Sequence, residues 1–311
     1  MSAATETVSE VYRDRTGGFI GRIVPTRLRI FHGFASWLGL ICLGLFLLIA
    51  TVGRLFGNPD LLVTAGAEPP STSHWFGTDT LGRDLFARTA TGAWTSLLIS
   101  VSCIVVAVLI AVPLGMWAGS KHNKRADDFI MRGLETVQAL PMLIFVLFVL
   151  MLVGSDPVQL GPFTIGMEAR ISVCLALGFV PFFARIARAA TLVEMQEDYV
   201  AALRVIGVKP RYILLREVHV NVMPAVGVQC FLAIAIAIFA EGGLSFLGLG
   251  VAPPQATLGN LIADAGSQIL NGLWWYALLP GAVMVLGILG FNLVGDAFND
   301  SLLGSRSAER A

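Results

Sequence analysis

The sequence has 311 residues, of which 56% are hydrophobic and only 14% are charged, and its mean hydropathy is +0.77. Soluble domains carry about 25% charged residues, so this chain has too few charges to cover a water-exposed surface of its size. The formal net charge is zero, which predicts no nucleic-acid partner. The four cysteines lie singly in apolar runs, so neither a disulfide framework nor a metal site is predicted.

The N-terminal segment 1–32 is polar and lacks the apolar core of a signal peptide, so we expect an extension without a cleaved signal. A bilayer core about 30 Å thick requires roughly twenty apolar residues per helix. Backbone groups in lipid must bond within their own segment, so such stretches are predicted as helices. The six predicted spans are 33–53, 94–118, 134–153, 171–190, 222–247 and 277–296.

The distribution of Lys and Arg predicts the orientation of these spans. If the N-terminus is cytoplasmic, seventeen of these residues lie in inside segments and four in outside segments. This is a strong positive-inside bias. We therefore predict cytoplasmic N- and C-termini, with a C-terminal tail at 304–311 and a long inside loop at 191–221.

The outside segment before the second span contains a dense group of polar residues. His74, Trp75 and Phe76 suit a membrane interface, and Thr78 or Asp79 is predicted to cap a short outside helix that leads into the span. That helix would carry Arg83 and Asp84. Within the second span, Gly115 and Gly119 form a GxxxG pattern that permits close helix approach.

An acidic residue inside a span is expensive in lipid and is a functional candidate by default. Glu241, in the fifth predicted span with Ser245 one turn later, is the clearest example. It either lines a translocation path or pairs with neighbouring helices, and the sequence leaves both readings open.

The inside loop has an amphipathic pattern. Tyr199, Ala202, Leu203 and Ile206 form one apolar stripe on a short helix, with Arg204 off the stripe. Gly207 is predicted to end that helix, and Pro210 fits the first turn of a second helix that starts near Arg211. The stripe suits lipid headgroups, the underside of the protein or a groove on a soluble partner, and the pattern alone does not choose between them.

At this loop the sequence resembles the membrane subunits of binding-protein-dependent ABC importers. Their cytoplasmic signature is Glu-Ala-Ala, three residues, Gly, nine residues, then Ile-x-Leu-Pro. The aligned residues here are Ala201-Ala202-Leu203, Gly207 and Val218-His219-Val220, so the glycine and spacing match while the leading Glu and the closing Leu-Pro differ.

Three further segments resemble the dipeptide/oligopeptide/nickel permeases, and the N-terminal extension and the long first outside loop resemble the C-type subunit of that family. The three segments are HWFGTDTLGRDLFART at 74–89, EGGLSFLGLGVAPPQATLGNLI at 241–262 and FNLVGDAFNDSL at 291–302. The first matches the GTDxxGRDxxxR signature through Gly77, Thr78, Asp79, Gly82, Arg83 and Asp84.

The resemblance implies an all-α membrane protein of six transmembrane helices with the type I ABC importer permease fold. Residues 33–93 would form the first span and extracytoplasmic loop, and 94–303 the core permease domain. It implies a homologous B-type permease, two ATP-binding subunits or domains and an extracytoplasmic binding protein as partners, in the bacterial plasma membrane. The ATPase-coupling residues implied are Tyr199, Ala202, Leu203, Arg204, Ile206, Gly207, Val208, Lys209, Pro210 and Arg211.

Short peptides are the expected cargo, with nickel chelates, glutathione and other small solutes as alternatives. No Walker A pattern GxxxxGK[ST] occurs, so ATP and Mg²⁺ are expected to act on partner ATPases, and this chain is expected to bind no cofactor and to catalyse nothing. A self-contained secondary transporter would predict charged relays or an inverted repeat. A membrane-embedded enzyme would predict clustered His, Asp or Glu within the spans.

Overall fold

The computed structural model describes residues 34–56, 58–121, 125–154, 158–160 and 163–309. The predicted extension 1–32 lies outside them. In chain order the helices are α1 Phe34–Phe56, α2 Leu85–Ser120, α3 Arg125–Gln138, α4 Met142–Val153, α5 Met167–Glu194, α6 Asp198–Val205, α7 Pro210–Tyr212, a π-helical segment Ile213–Val218, α8 His219–Phe246, α9 Leu258–Ala265, a 3₁₀ turn Ile269–Asn271 and α10 Trp275–Glu309. A small antiparallel hairpin, β1 Val158–Leu160 and β2 Phe163–Ile165, joins α4 to α5.

Within the described ranges, five helical segments are long and apolar enough to cross a membrane: Phe34–Gly53, Leu85–Ser120, Met167–Glu194, Pro210–Phe246 and Trp275–Ser301. The bent pair α3 and α4 makes a sixth if it counts as one span. The predicted all-helical, multi-pass architecture is confirmed, and the short hairpin is a minor addition to it.

The third span differs from the prediction of one helix over 134–153. The chain breaks after Gln138 and turns by 92° before α4 begins. Pro141 stands at the start of α4 with ψ 133°; because it has no N–H and disfavours helical geometry in the residue before it, α3 cannot continue through it. The 12 residues of α4 rise about 18 Å, which is less than the hydrocarbon thickness of a bilayer.

The main core lies between α2, α5 and α8, and glycines bring the first two of these helices close together. A Cβ added at Gly115 would overlap the Ala184 carbonyl oxygen, and one added at Gly119 would lie 2.9 Å from the Arg188 carbonyl oxygen. The GxxxG pair therefore packs against α5 of the same chain. Small residues allow this contact, since helix packing in lipid depends on close van der Waals fit.

A second core joins α1, α10 and α8 around the fully buried Phe46. Gly287 faces the Phe46 ring, and a Cβ there would lie 2.9 Å from its nearest carbon. On the outside of the bundle large apolar side chains are exposed, including Ile41, Leu109 and Leu152. An exposed apolar surface of this kind suits acyl chains and is costly in water.

Candidate functional site

The predicted helix–glycine–helix element is present between the C-terminal end of α5 and the N-terminal end of α8. Helix α6 ends at Val205, and Gly207 adopts φ +86°, the left-handed region that favours glycine. Val208 N donates to the Leu203 carbonyl at 3.0 Å and Gly207 N to the Arg204 carbonyl at 3.1 Å. These two bonds form a Schellman motif, which satisfies carbonyl groups at the end of α6.

The chain then enters the fifth span through a second helical start. Pro210 occupies the first turn of α7, where its missing N–H costs nothing and its fixed φ suits a helix. From Ile213 to Val218 the helix is π-helical, and it continues without interruption as α8. The predicted break between Gly207 and Pro210 is therefore where sequence reasoning placed it.

The predicted apolar stripe on α6 does not act as one face. Tyr199 and Leu203 are half-buried and pack on the main core, whereas Ala202 and Ile206 are exposed. The fully buried residue of α6 is Val200, which the stripe did not include. The element is only eight residues long and sits against two helix ends, so the neighbouring helices and not the helical period decide which side faces inward.

The free end of α6 presents apolar side chains beside cations. Val205 is 87% exposed and Ile206 73% exposed, and Arg204, Lys209 and Arg211 are exposed around them. Val208, at the turn, is half-buried against the main core. At this tip, apolar side chains are surrounded by basic ones. Such a surface suits insertion into a groove of complementary shape and charge.

The base of α6 is held by a triangle of hydrogen bonds. Tyr199 Oη donates to Glu194 Oε1 at 2.7 Å, and Asn221 Nδ2 donates to the same oxygen at 2.6 Å. Asn221 Nδ2 also lies 3.2 Å from Tyr199 Oη and donates to it. Burial, together with the neighbouring Glu194 carboxylate, raises the pKa of Tyr199 above its ordinary value, so its hydroxyl stays protonated and acts as a donor. The sequence analysis missed Glu194 and Asn221, although a polar residue at either end of an apolar span is a usable signal.

At the opposite end of the bundle, the GTDxxGRD segment forms a folded turn around Asp79. The fully buried Asp79 carboxylate accepts from Leu81 N and Arg83 N, both at 2.9 Å, and from Arg83 Nε at 2.6 Å. Arg88 Nε lies 3.6 Å from the same carboxylate. A buried charge needs such donors because burial without them is very costly.

Two glycines and a threonine complete this turn. Gly77 and Gly82 have φ of +73° and +82°, so an L side chain would be strained at either position. Thr78 is fully buried; its Oγ1 accepts from Glu68 N at 2.8 Å and donates to the Gly66 carbonyl at 2.8 Å. Through these two hydrogen bonds, the turn holds residues 66–68 of the preceding loop in place.

The prediction that Thr78 or Asp79 caps a short outside helix carrying Arg83 and Asp84 is wrong. Asp84 is itself the N-cap of α2: its Oδ1 accepts from Ala87 N at 2.9 Å, and its Oδ2 lies 2.8 Å from His74 Nδ1. Helix α2 then runs unbroken from Leu85 into the span. The side chain of Asp79 is unavailable as a cap because the Arg83 backbone and guanidinium occupy it.

Glu241 and Ser245 lie together inside the bundle. Glu241 Oε1 accepts from Ser245 Oγ at 2.7 Å, and Oε2 accepts from Ser96 Oγ of α2 at 2.6 Å. Leu258 N, at the start of α9, donates to Ser96 Oγ at 3.3 Å. The cluster links α2, α8 and α9, and Glu241 is fully buried. Its hydrogen bonds therefore pair it with neighbouring helices, and a role in a translocation path stays a prediction.

An open hollow of about 760 Å³ lies beside α9, lined by Arg83, Asp264, Tyr276 and the Pro253–Pro254 pair among others. Burial raises the pKa of Asp264, while the guanidinium groups of Arg88 and Arg83 oppose that shift. Among the described residues no group of three or more His, Cys, Asp or Glu side chains is placed to hold a metal ion.

Comparison with known proteins identifies the architecture. A family model described as "Binding-protein-dependent transport system inner membrane component" matches residues 111–304. The chain belongs to this family. The matched region runs from within α2 to α10 and includes the α6 element, Glu241 and Ser245, whereas Ser96 lies before it.

Several relatives of this inner membrane component are peptide permeases by name. The dipeptide transport system permease protein DppC of Bacillus subtilis is 37% identical over 262 residues, which cover 83% of this chain and 78% of that protein. The oligopeptide transport system permease protein OppC of the same organism is 34% identical, covering 88% and 87%. The probable D,D-dipeptide transport system permease protein DdpC of Escherichia coli is 33% identical, covering 85% and 84%.

Proposed function

We propose that this chain is the C-type transmembrane subunit of an ATP-driven, binding-protein-dependent importer of di- and oligopeptides, and that it forms half of the translocation pathway. The observation that carries this proposal is the α6 element. A stiff helix with an exposed apolar tip stands at the joint between two span helices, and a family of binding-protein-dependent transport components matches the chain there.

The α6 tip is the site proposed to receive force from a cytoplasmic ATPase. Val205 and Ile206 would enter an apolar groove, while Arg204, Lys209 and Arg211 would face acidic residues at its rim. The ordered Gly207–Pro210 turn makes the connection short. A docked helix on a short connection passes a displacement to the spans, whereas a long flexible loop would absorb it.

The chain itself is proposed to be non-catalytic and to bind no cofactor. ATP and Mg²⁺ would be used by two ATP-binding subunits or domains that dock at α6, and a homologous B-type permease would complete the path. An extracytoplasmic binding protein would deliver cargo at the α9 end, where the Gly77–Asp84 turn and the neighbouring hollow lie. This arrangement requires α6 and both termini to be cytoplasmic.

Short peptides are the proposed cargo because the similar proteins from two organisms are named as dipeptide or oligopeptide permeases. Nickel chelates and glutathione are the alternatives for the same machinery. The cargo class follows from the binding protein's recognition of its ligand, so it is tested separately from the mechanism.

The test is recovery of the assembly from the native membrane. A tag on this chain, extraction in mild detergent and mass spectrometry should identify a second six-span permease and a Walker-containing ATPase. Recovery with the Ile206→Asp variant, which places a charge on the exposed tip, should lose the ATPase and retain the partner permease. Ile206→Leu is the matched control and should retain both. Recovery of the wild-type chain alone or as a homo-oligomer would count against the proposal and favour a self-contained transporter.

A further inference from the structure

The Glu194–Tyr199–Asn221 triangle connects three separate elements. Glu194 is the last residue of α5, Tyr199 lies in the first turn of α6, and Asn221 lies in the first turn of α8. We propose that these three side chains form a latch that makes α6 move as one body with both α5 and α8. The inference rests on the proposed function of α6 and adds to it the residues that transmit its displacement.

Helix α6 needs such a fastening because little else orients it. It has eight residues, and isolated helices of fewer than about 12 residues are marginal in water. Its apolar anchorage consists of the buried Val200 and the half-buried Tyr199 and Leu203. Apolar burial is non-directional, so it permits rotation and sliding, whereas hydrogen bonds to a carboxylate are strong and directional.

The geometry uses every donor of the latch. The Tyr199 hydroxyl hydrogen goes to Glu194, and the two hydrogens of the Asn221 amide go to Glu194 and to Tyr199 Oη. Each side chain therefore contacts the other two, and α6 cannot turn about its axis without breaking a bond to a span helix. Loss of the Glu194 acceptor removes two of the three bonds at once.

The π-helical segment sets the register of the latch. It ends at Val218, three residues before Asn221. A π turn holds one more residue than an α turn, and one residue corresponds to a rotation of about 100° around the helix. Asn221 reaches Glu194 in this rotated register. The same π segment lies between the proposed docking helix and the span, so the latch connects the two sides of it.

The experiment uses the complete complex, with partner permease, ATPases and binding protein, in lipid nanodiscs. ATP hydrolysis is measured with and without the binding protein loaded from an enzymatic casein hydrolysate, a mixture of short peptides. The readout is the ratio of stimulated to unstimulated hydrolysis in complexes matched for ATPase content. A residue that only supports folding would lower the yield of complex and leave this ratio unchanged.

Tyr199→Phe removes two of the three bonds and keeps the ring. We expect it to lower the ratio by about tenfold, the factor that corresponds to about 1.4 kcal/mol. Glu194→Ala also removes two of the three bonds and should lower the ratio by a similar factor. The double variant should lose less than the product of the two single losses, because both single variants remove the same Tyr199–Glu194 bond. Glu194→Gln keeps an acceptor oxygen and should restore most of the ratio. Tyr212→Phe is the matched control; Tyr212 is exposed with its ring beside Arg216, and loss of its hydroxyl should change nothing.

A normal ratio in Tyr199→Phe, alongside a stimulated wild-type complex, would overturn the latch and leave the proposed function intact. A loss in the double variant equal to the product of the two single losses would also overturn it, since independent sites add. A wild-type complex that carries no ATPase, or whose ATPase the loaded binding protein does not stimulate, would overturn the proposed function and the latch with it.

Discussion

The Arg188 guanidinium of α5 binds the Asp127 carboxylate of α3 through two parallel hydrogen bonds, Nε to Oδ1 and Nη2 to Oδ2, each 2.7 Å long. Asp127 is 2% exposed. A bidentate pair of this kind fixes both distance and orientation. The pair joins α3, the first helix of the bent α3–α4 pair, to the C-terminal part of α5. Arg188 lies six residues before Glu194, which belongs to the proposed latch.

Asp127→Ala should destabilise the protein by about 2 to 3 kcal/mol, because it removes two charge-assisted hydrogen bonds that the partly buried Arg188 guanidinium donates. Thermal unfolding in detergent, followed by the reactivity of the buried cysteines, measures the change. Asp128→Ala is the matched control, because Asp128 is the exposed neighbour on the same helix. Equal unfolding temperatures for the two variants would show that the pair contributes nothing to stability.

Glu241→Ala should lower the stability by about 2 to 5 kcal/mol, since it opens a cavity and leaves two buried hydroxyl groups without their acceptor. Glu241→Gln keeps the volume and one acceptor oxygen and should cost less. Thermal unfolding of the purified chain in the absence of its partners measures this loss of stability separately from transport. Normal stability in Glu241→Ala together with loss of uptake would instead assign Glu241 to the translocation path.

Ser96→Ala should cost about 1 kcal/mol, because the Ser96 hydroxyl bonds both Glu241 and Leu258 N. Ser100 lies one turn further along α2, is equally buried, and its hydroxyl has no hydrogen-bond partner among the described residues. Ser100→Ala should therefore be neutral or slightly stabilising. The difference between these two matched variants in unfolding temperature measures the cluster directly, and identical behaviour would contradict it.

Gly115→Ala should destabilise the contact between α2 and α5 by about 1 to 3 kcal/mol, because its methyl group would overlap the Ala184 carbonyl. Gly44→Ala in α1 is the control, since a Cβ there meets nothing within 4 Å. Expression level and unfolding temperature of both variants test the assignment. A tolerated Gly115→Ala would mean that α2 and α5 separate without cost.

Gly207→Ala should weaken the end of α6, since the left-handed conformation costs an L residue roughly 1 to 2 kcal/mol. Ala in place of Gly207 meets no neighbouring atom, so the effect is one of backbone geometry alone. We expect a higher rate of amide hydrogen exchange at Leu203 to Val208 in the assembled complex, with an unchanged rate in α8. Unaltered exchange would indicate that the turn tolerates a different geometry.

Most of the architecture is determined by local sequence signals. Apolar runs of the length of a bilayer predicted the spans. The third of them is interrupted in the structure, because Pro141 prevents α3 from continuing into α4. Gly207 and Pro210 placed the helix–turn–helix element correctly, since each has a strong backbone preference of its own. The GTDxxGRD residues were recognised as a unit, but the capping role belongs to Asp84 because Arg83 engages Asp79.

Tertiary structure decided which polar groups meet. Ser96 and Glu241 lie 145 residues apart in sequence, and Glu194 and Asn221 come from different helices. The periodicity of apolar residues along one helix cannot predict a contact between two helices. Val200 lies in the main core although the apolar stripe of α6 does not include it. Local propensities act over a few residues through the backbone, whereas these contacts depend on the relative placement of whole helices, which only the packed bundle fixes.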